Sequence, residues 1–147
     1  MFGYAPNKQK GWFKIMKPKI TGIHHIALKC CGVEEFNKTV SFYKDILGLP
    51  VARSWGEGES AGIMLDTGNG ILEIFADASS RLEQGAIRHF ALATDDPDTC
   101  IEAVRNAGCK VTMEPNDIVI GSVPPYPARI AFCIGPVGEE IEFFCVK

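Results

Sequence analysis

The sequence predicts an α+β fold built from two tandem βαβββ modules, and three observations carry that expectation. Hydrophobic patterning runs strand, helix, strand, strand, strand, and then the same order returns. The motif His25-Ile26-Ala27-Leu28 recurs as His89-Phe90-Ala91-Leu92 at the same place in the order. Leu72-Glu73-Ile74-Phe75 likewise recurs as Ile141-Glu142-Phe143-Phe144. A shared opening and a shared ending on equivalent elements mark an internal duplication.

Each element has its own local reason. Residues 1–19 are polar and cationic without a period, and read as a leader or flexible arm ahead of a single domain over 20–147. Ile20–Cys31 is dense in apolar residues and reads as a buried strand. Val33, Phe36, Val40, Tyr43 and Leu47 follow at helical spacing, with Gly48 as the stop. Leu49–Trp55, Ala61–Thr67 and Gly70–Ala76 read as strands separated by Gly-rich turns, which completes a first module over about 20–77.

The second module, about 86–146, opens with a strand over Ile87–Thr94. Asp96 is placed to cap a helix with Pro97 in its first turn, and Ile101, Val104 and Ala107 form its inner face before Gly108. Strands are expected over Lys110–Glu114, Ala128–Ile134 and Glu139–Val146. The stretch Asn116–Pro127, rich in Pro and Gly, reads as a long loop with strand character at Ile118–Ile120.

Composition narrows the function. The chain has 147 residues, enough for one domain with a real core. Hydrophobic residues at 46% and charged residues at 22% exclude a disordered chain. A net charge of −3 offers no basic surface for nucleic acid, and no apolar run is long enough to cross a membrane. Six cysteines occur without any CxxC pair. Cys30, Cys109, Cys133 and Cys145 lie in apolar runs, where free Cys acts as a small hydrophobe, so a reducing, cytoplasmic setting is expected.

The duplicated positions carry chemistry. Strand alternation puts His25 beside Ala27, and His89 beside Ala91, on one face each. Small neighbours leave room for something larger than a side chain. Glu73 and Glu142 are lone acids inside apolar runs, costly to bury without a cationic partner. One divalent metal held by His25, Glu73, His89 and Glu142 would supply that partner with no net charge. His24 has no acidic or imidazole counterpart, since Arg88 stands there in the second module, and is expected on the opposite face or in solvent.

The motifs HHIAL, FYKDILGL, ILEIF, IRHFAL, DPDTCIEAVRNAG and GPVGEEIEFF resemble those of the vicinal oxygen chelate superfamily over about residues 20–146. That superfamily includes glyoxalase I, fosfomycin-resistance proteins, bleomycin-resistance proteins and extradiol dioxygenases. The resemblance implies paired modules forming a curved, mostly antiparallel sheet around an open-sided metal site. It assigns the metal ligands to His25, Glu73, His89 and Glu142, in the residue types of the glyoxalase I-like branch. It implies one divalent ion, Ni, Co, Zn or Mn. The implied activity is a lyase or isomerase that moves a proton between adjacent carbons of a small oxygenated substrate through a metal-bound enediolate. Glu142 is then the favoured catalytic base, and Glu73 the second proton carrier. A homodimer is the implied assembly. The alternative of the same fold is a non-catalytic small-molecule binding or antibiotic-resistance protein.

The chain also departs from the glyoxalase I pattern. Lys29 replaces the family's Arg and Asp77 its Asn, and no Lys lies between Val111 and Val146. A dianionic glutathione adduct would find little to hold it, so lactoylglutathione lyase specificity is not expected. Arg53, Trp55 and Arg129, with Arg88, are the candidate substrate-binding residues, under a stiff flap at Pro124–Pro127.

Overall fold

The computed structural model describes residues 21–81 and 83–147. The leader expected over residues 1–19 lies outside the described residues. The first module comprises β1 (His25–Lys29), α1 (Gly32–Ser41), β2 (Val51–Trp55), β3 (Gly62–Asp66) and β4 (Ile71–Phe75). The second comprises β5 (Phe90–Ala93), α2 (Pro97–Asn106), β6 (Val111–Ile120), β7 (Tyr126–Ile134) and β8 (Glu140–Val146). Their strands form two four-stranded sheets, in the orders β1-β4-β3-β2 and β5-β8-β7-β6. In each sheet one pairing is parallel and two are antiparallel. The duplication read from the motifs is thus a duplication of topology.

The helices form as their sequences direct. The Asp96 carboxylate accepts the Thr99 N–H at 3.1 Å and Pro97 opens the first turn, so α2 starts where its cap stands. Gly108, at φ +83°, takes the left-handed conformation that lets the chain leave the helix. The first helix ends differently from its period. After Ser41 it widens into a turn over Phe42–Ile46, in which the Leu47 N–H reaches the Phe42 carbonyl five residues back at 3.0 Å. Tyr43 lies in that turn and is fully buried in the core.

Two boundaries differ most from expectation, while β2 and β5 each start two or three residues later than expected. Among the described residues β1 starts at His25, with 21–24 outside the strand, because its partner β4 begins at Ile71, which pairs with His25. The expected loop over Asn116–Pro127 is mostly strand. β6 runs to Ile120 as an edge strand against β7, and the connection shrinks to residues 121–125. Register shifts on either side of Met113 absorb Pro115, which an edge strand tolerates. The carboxylate of Asp117, loop chemistry by composition, is held by Arg129 at 3.0 Å and Lys147 at 2.7 Å.

The two modules share one core. Leu28, Phe42, Tyr43 and Ile74 of the first pack in one cluster with Ile101, Cys133, Ile141 and Phe143 of the second. Burial of each large apolar side chain contributes about 1.5–3 kcal/mol. Polar contacts also cross the seam. Arg81 donates to the carbonyls of Pro136 and Val137 at 3.0 and 3.4 Å, and the Tyr43 hydroxyl donates to the Glu139 carboxylate. All six cysteines are free thiols, with Cys30 and Cys133 buried. Burial raises the Cys30 and Cys109 thiols and pushes Cys133 up to about 12, which keeps them protonated as packing groups.

Candidate functional site

Parallel pairing builds each half of the site in the same way. In the first sheet Ala27 of β1 stands beside Glu73 of β4, and in the second Ala91 of β5 stands beside Glu142 of β8. The histidine two residues before each Ala lies on the same face, and the methyl group between leaves it room to swing toward the acid. The His25 Nε2 lies 3.4 Å from Glu73 Oε2, and the His89 Nε2 lies 3.2 Å from Glu142 Oε2. Both carboxylates are 8% exposed, within otherwise apolar strands.

These separations test the expected metal. Two donors about 2.0–2.2 Å from one ion, subtending 90–110°, stand about 3.0–3.5 Å apart. Both pairs fall in that range. Burial pushes the Glu142 carboxyl up, and only the adjacent His89 opposes the shift among its larger influences. A buried acid with one imidazole beside it is a donor suited to a cation. The donor set therefore fits a divalent ion.

The four expected ligands come together as two pairs. Among the described residues no three His, Cys, Asp or Glu side chains converge closely enough to hold a metal within one chain. His25 with Glu73 lies on one sheet, and His89 with Glu142 on the other.

Register also sorts the expected substrate contacts. Arg53, Met64, Glu73 and Ala27 form one row across the first sheet, and Trp55, Gly62, Phe75 and Lys29 form the next. Arg53 and Trp55 therefore share the face of Glu73. Arg53 sits two strands away, about 9–10 Å at ordinary strand spacing, and makes no ion pair among the described residues. The Trp55 indole lies flat over Gly62, where a Cβ would come within 2.4 Å of the ring, and meets Phe75 edge-on at 5.8 Å. Lys29 sits 5.6 Å over Phe75 and is ion-paired with Asp77 at 3.1 Å.

Arg129 is placed elsewhere. It pairs in register with Cys145, one residue out of phase with Glu142, and so faces the α2 side of its sheet. There both sides of its guanidinium are occupied, by Asp98 of α2 at 2.6 and 2.7 Å and by Asp117 at 3.0 Å. It clamps helix to sheet and does not reach the face that carries Glu142. Arg88 is exposed, and its carbonyl accepts from the Gln84 side chain at 2.6 Å. The expected flap is shorter than its Pro-rich sequence suggested. Val123 at its tip is 99% exposed, while Tyr126 turns back onto Phe144.

Sequence reasoning missed the aromatic character of the second face. Phe132 and Phe144 flank Glu142 there, and the Phe132 ring meets His89 edge-on at 5.3 Å. Their alternation with buried residues on β7 and β8 was the available signal. His24 was expected across the strand or in solvent. It is exposed, as the second of those expectations has it, and also places its Nδ1 2.9 Å from that of His25.

Comparison with known proteins agrees with this architecture. Residues 22–143 match the family model described as the glyoxalase/bleomycin resistance protein/dioxygenase superfamily. The chain is 31% identical over 119 residues to a lactoylglutathione lyase of Haemophilus influenzae, covering 76% of this chain and 84% of that protein. It is 32% identical over 123 residues to the uncharacterized protein YraH of Bacillus subtilis, covering 76% and 91%. Among solved structures, a glyoxalase/bleomycin resistance protein/dioxygenase from Alicyclobacillus acidocaldarius matches with TM-score 0.58 at 20% identity, covering 86% of this chain and 92% of that one. The fosfomycin resistance protein FosX from Listeria monocytogenes, in complex with Mn(II), matches with TM-score 0.63 at 18% identity, covering 85% and 92%. With the matched model spanning both modules, the chain belongs to the glyoxalase/bleomycin resistance protein/dioxygenase superfamily.

Proposed function

We propose that this protein is a divalent-metal-dependent, glyoxalase-like lyase or isomerase that moves a proton between adjacent carbons of a small oxygenated substrate. The observation that carries the reading is the pair of His–Glu half-sites, at equivalent register and with donor spacing suited to one ion. His25 and Glu73 of one copy, with His89 and Glu142 of a second copy, would hold the ion in a homodimer. Proteins of this family bind small molecules and often form dimers. Ni, Co, Zn and Mn all suit two imidazoles and two carboxylates.

When bound, the ion would supply a Lewis acid that polarises the substrate's oxygens. The chain does the rest. Glu142 takes the proton from carbon at a carboxylate oxygen, and burial raises its basicity toward that task. Glu73, equally buried, holds the second proton position. Trp55 and Phe75 on the first face, and Phe132 and Phe144 on the second, exclude water from the substrate's carbon skeleton. Arg53 is free to hold an anionic group. Lys29 is already neutralised by Asp77, which argues against the dianionic glutathione adduct as substrate. The free thiols suit a reducing, cytoplasmic location.

Metal analysis after reconstitution tests the reading. About one ion per chain is expected for a complete four-ligand site, and a protein that retains essentially none overturns it. A panel of hemithioacetals and small α-hydroxycarbonyl compounds then separates the activities. A metal-loaded protein that binds these compounds without turnover would instead be a small-molecule binding protein of the same fold.

A further inference from the structure

We propose that His24 is a positioning residue that holds the His25 imidazole in the tautomer and orientation its half-site requires. The inference rests on the metal reading above and goes beyond it, because the second half-site has no such support.

The geometry is specific. The Nδ1 atoms of His24 and His25 stand 2.9 Å apart, a hydrogen-bond distance, with the two rings nearly perpendicular at 87°. Two Nδ1 atoms in contact can share only one proton. On its other side, the His25 Nε2 stands 3.4 Å from Glu73 Oε2, beyond an ordinary N–H to oxygen bond. The contact with His24 is therefore the one close polar bond to the His25 ring among the described residues. When His25 donates its Nδ1 proton to His24, its Nε2 carries the lone pair and faces Glu73. That is the form a metal ligand needs.

The second half-site lacks this device. Arg88 occupies the place of His24, and a guanidinium has no lone pair with which to accept a proton from His89. The His89 ring is instead packed against the edge of Phe132 at 5.3 Å. His25 thus has a hydrogen-bond partner at Nδ1, whereas His89 has none there among the described residues and is held by Phe132 and by Glu142 at 3.2 Å from its Nε2. Neighbouring groups that orient a ligand in this way typically affect metal affinity by about 10–100-fold.

Two variants separate hydrogen bonding from bulk. His24→Phe keeps a ring and removes the acceptor. His24→Asn puts a side-chain oxygen close to where Nδ1 stood. Zn²⁺ affinity of the full chain, by chelator competition, should weaken about 10–100-fold in His24→Phe and stay near the starting value in His24→Asn. Long-range ¹H–¹⁵N spectra of the metal-free protein should show His25 protonated at Nδ1 in the starting protein and in His24→Asn, and not in His24→Phe. Unchanged affinity and tautomer in His24→Phe overturn the proposal, as does an equal loss in both variants. If the starting protein binds no Zn²⁺, the metal reading fails, and the tautomer spectra alone decide the role of His24.

Discussion

Glu142 and Glu139 lie three residues apart, the first buried and the second half-buried, and they stand in different surroundings. Glu142 faces the open side of its sheet beside His89, while Glu139 faces the seam, where the Tyr43 hydroxyl and the Val137 N–H donate to it. Glu142→Gln keeps the shape and removes the base, so kcat should fall about 10²–10⁴-fold with the circular dichroism spectrum unchanged. A variant that turns over normally would remove Glu142 from proton transfer. Burial pushes the Glu139 carboxyl up, against the Tyr43 hydrogen bond, and drives the Tyr43 phenol well above its ordinary value. A carboxyl whose folded pKa is raised contributes stability below its unfolded pKa and loses it as pH climbs through the folded value. Urea midpoints of the metal-free protein should therefore fall relative to those of Glu139→Gln as pH rises above about 4.5, and parallel curves would contradict this. Tyr43→Phe leaves the same carboxylate short of a donor, and should cost about 1–3 kcal/mol in urea unfolding. Neither residue was legible as a pair. Tyr43 read as one more apolar position on a helix, and only the tertiary structure brings it to a strand end far along the chain.

At the scale of elements, β8 shows how one strand serves two purposes. Alternation sends Glu142 to the site face and Ile141 and Phe143 into the core, where they are 0% and 1% exposed. Phe143→Ala should cost about 3–5 kcal/mol by thermal or urea unfolding. The lost packing will also loosen the strand that carries Glu142, so metal affinity should weaken in parallel. A variant of full stability would show that the seam collapses around the gap. Alternation made β4 and β8 readable, and the α2 cap was equally plain at Asp96-Pro97. β6 was readable only in its first half and at Ile118–Ile120, because Pro115, Asn116 and Asp117 between them are turn residues by local preference. Its extension depends on bulges and on cross-strand ion pairs with Arg129 and Lys147, and these are tertiary facts. Arg129 belongs to the same lesson. Its face is set by the register with β8, and register follows from the hydrophobic pattern of both strands and from turn geometry, not from the arginine alone.

For the whole molecule, the decisive feature is that the two His–Glu pairs stand on two different sheets. If a homodimer completes them, sites arise from the first module of one copy and the second module of the other. Glu73→Gln and Glu142→Gln homodimers should then both be inactive. Refolding an equal mixture restores one intact site in each mixed dimer, so activity should return to roughly a quarter of the unmutated level by random pairing. A mixture as inactive as its parents would place all four ligands within one copy. The seam itself supports exchange of modules between copies only as far as its packing allows, since Tyr43, Phe143 and their neighbours bind the two modules of one chain into a single core.

The sequence by itself determined the module order, the duplication and the identity of the four candidate ligands. Those properties are local or periodic: strand alternation, helix caps and repeated motifs are written at short range along the chain. The tertiary structure alone decided that the candidate ligands stand as two pairs, that Arg129 faces a helix, that Lys29 is spent on Asp77, and that His24 reaches His25. Each of these depends on register or on packing between elements. Residue types fix what a side chain can do, whereas the meeting of distant strands fixes what stands beside it.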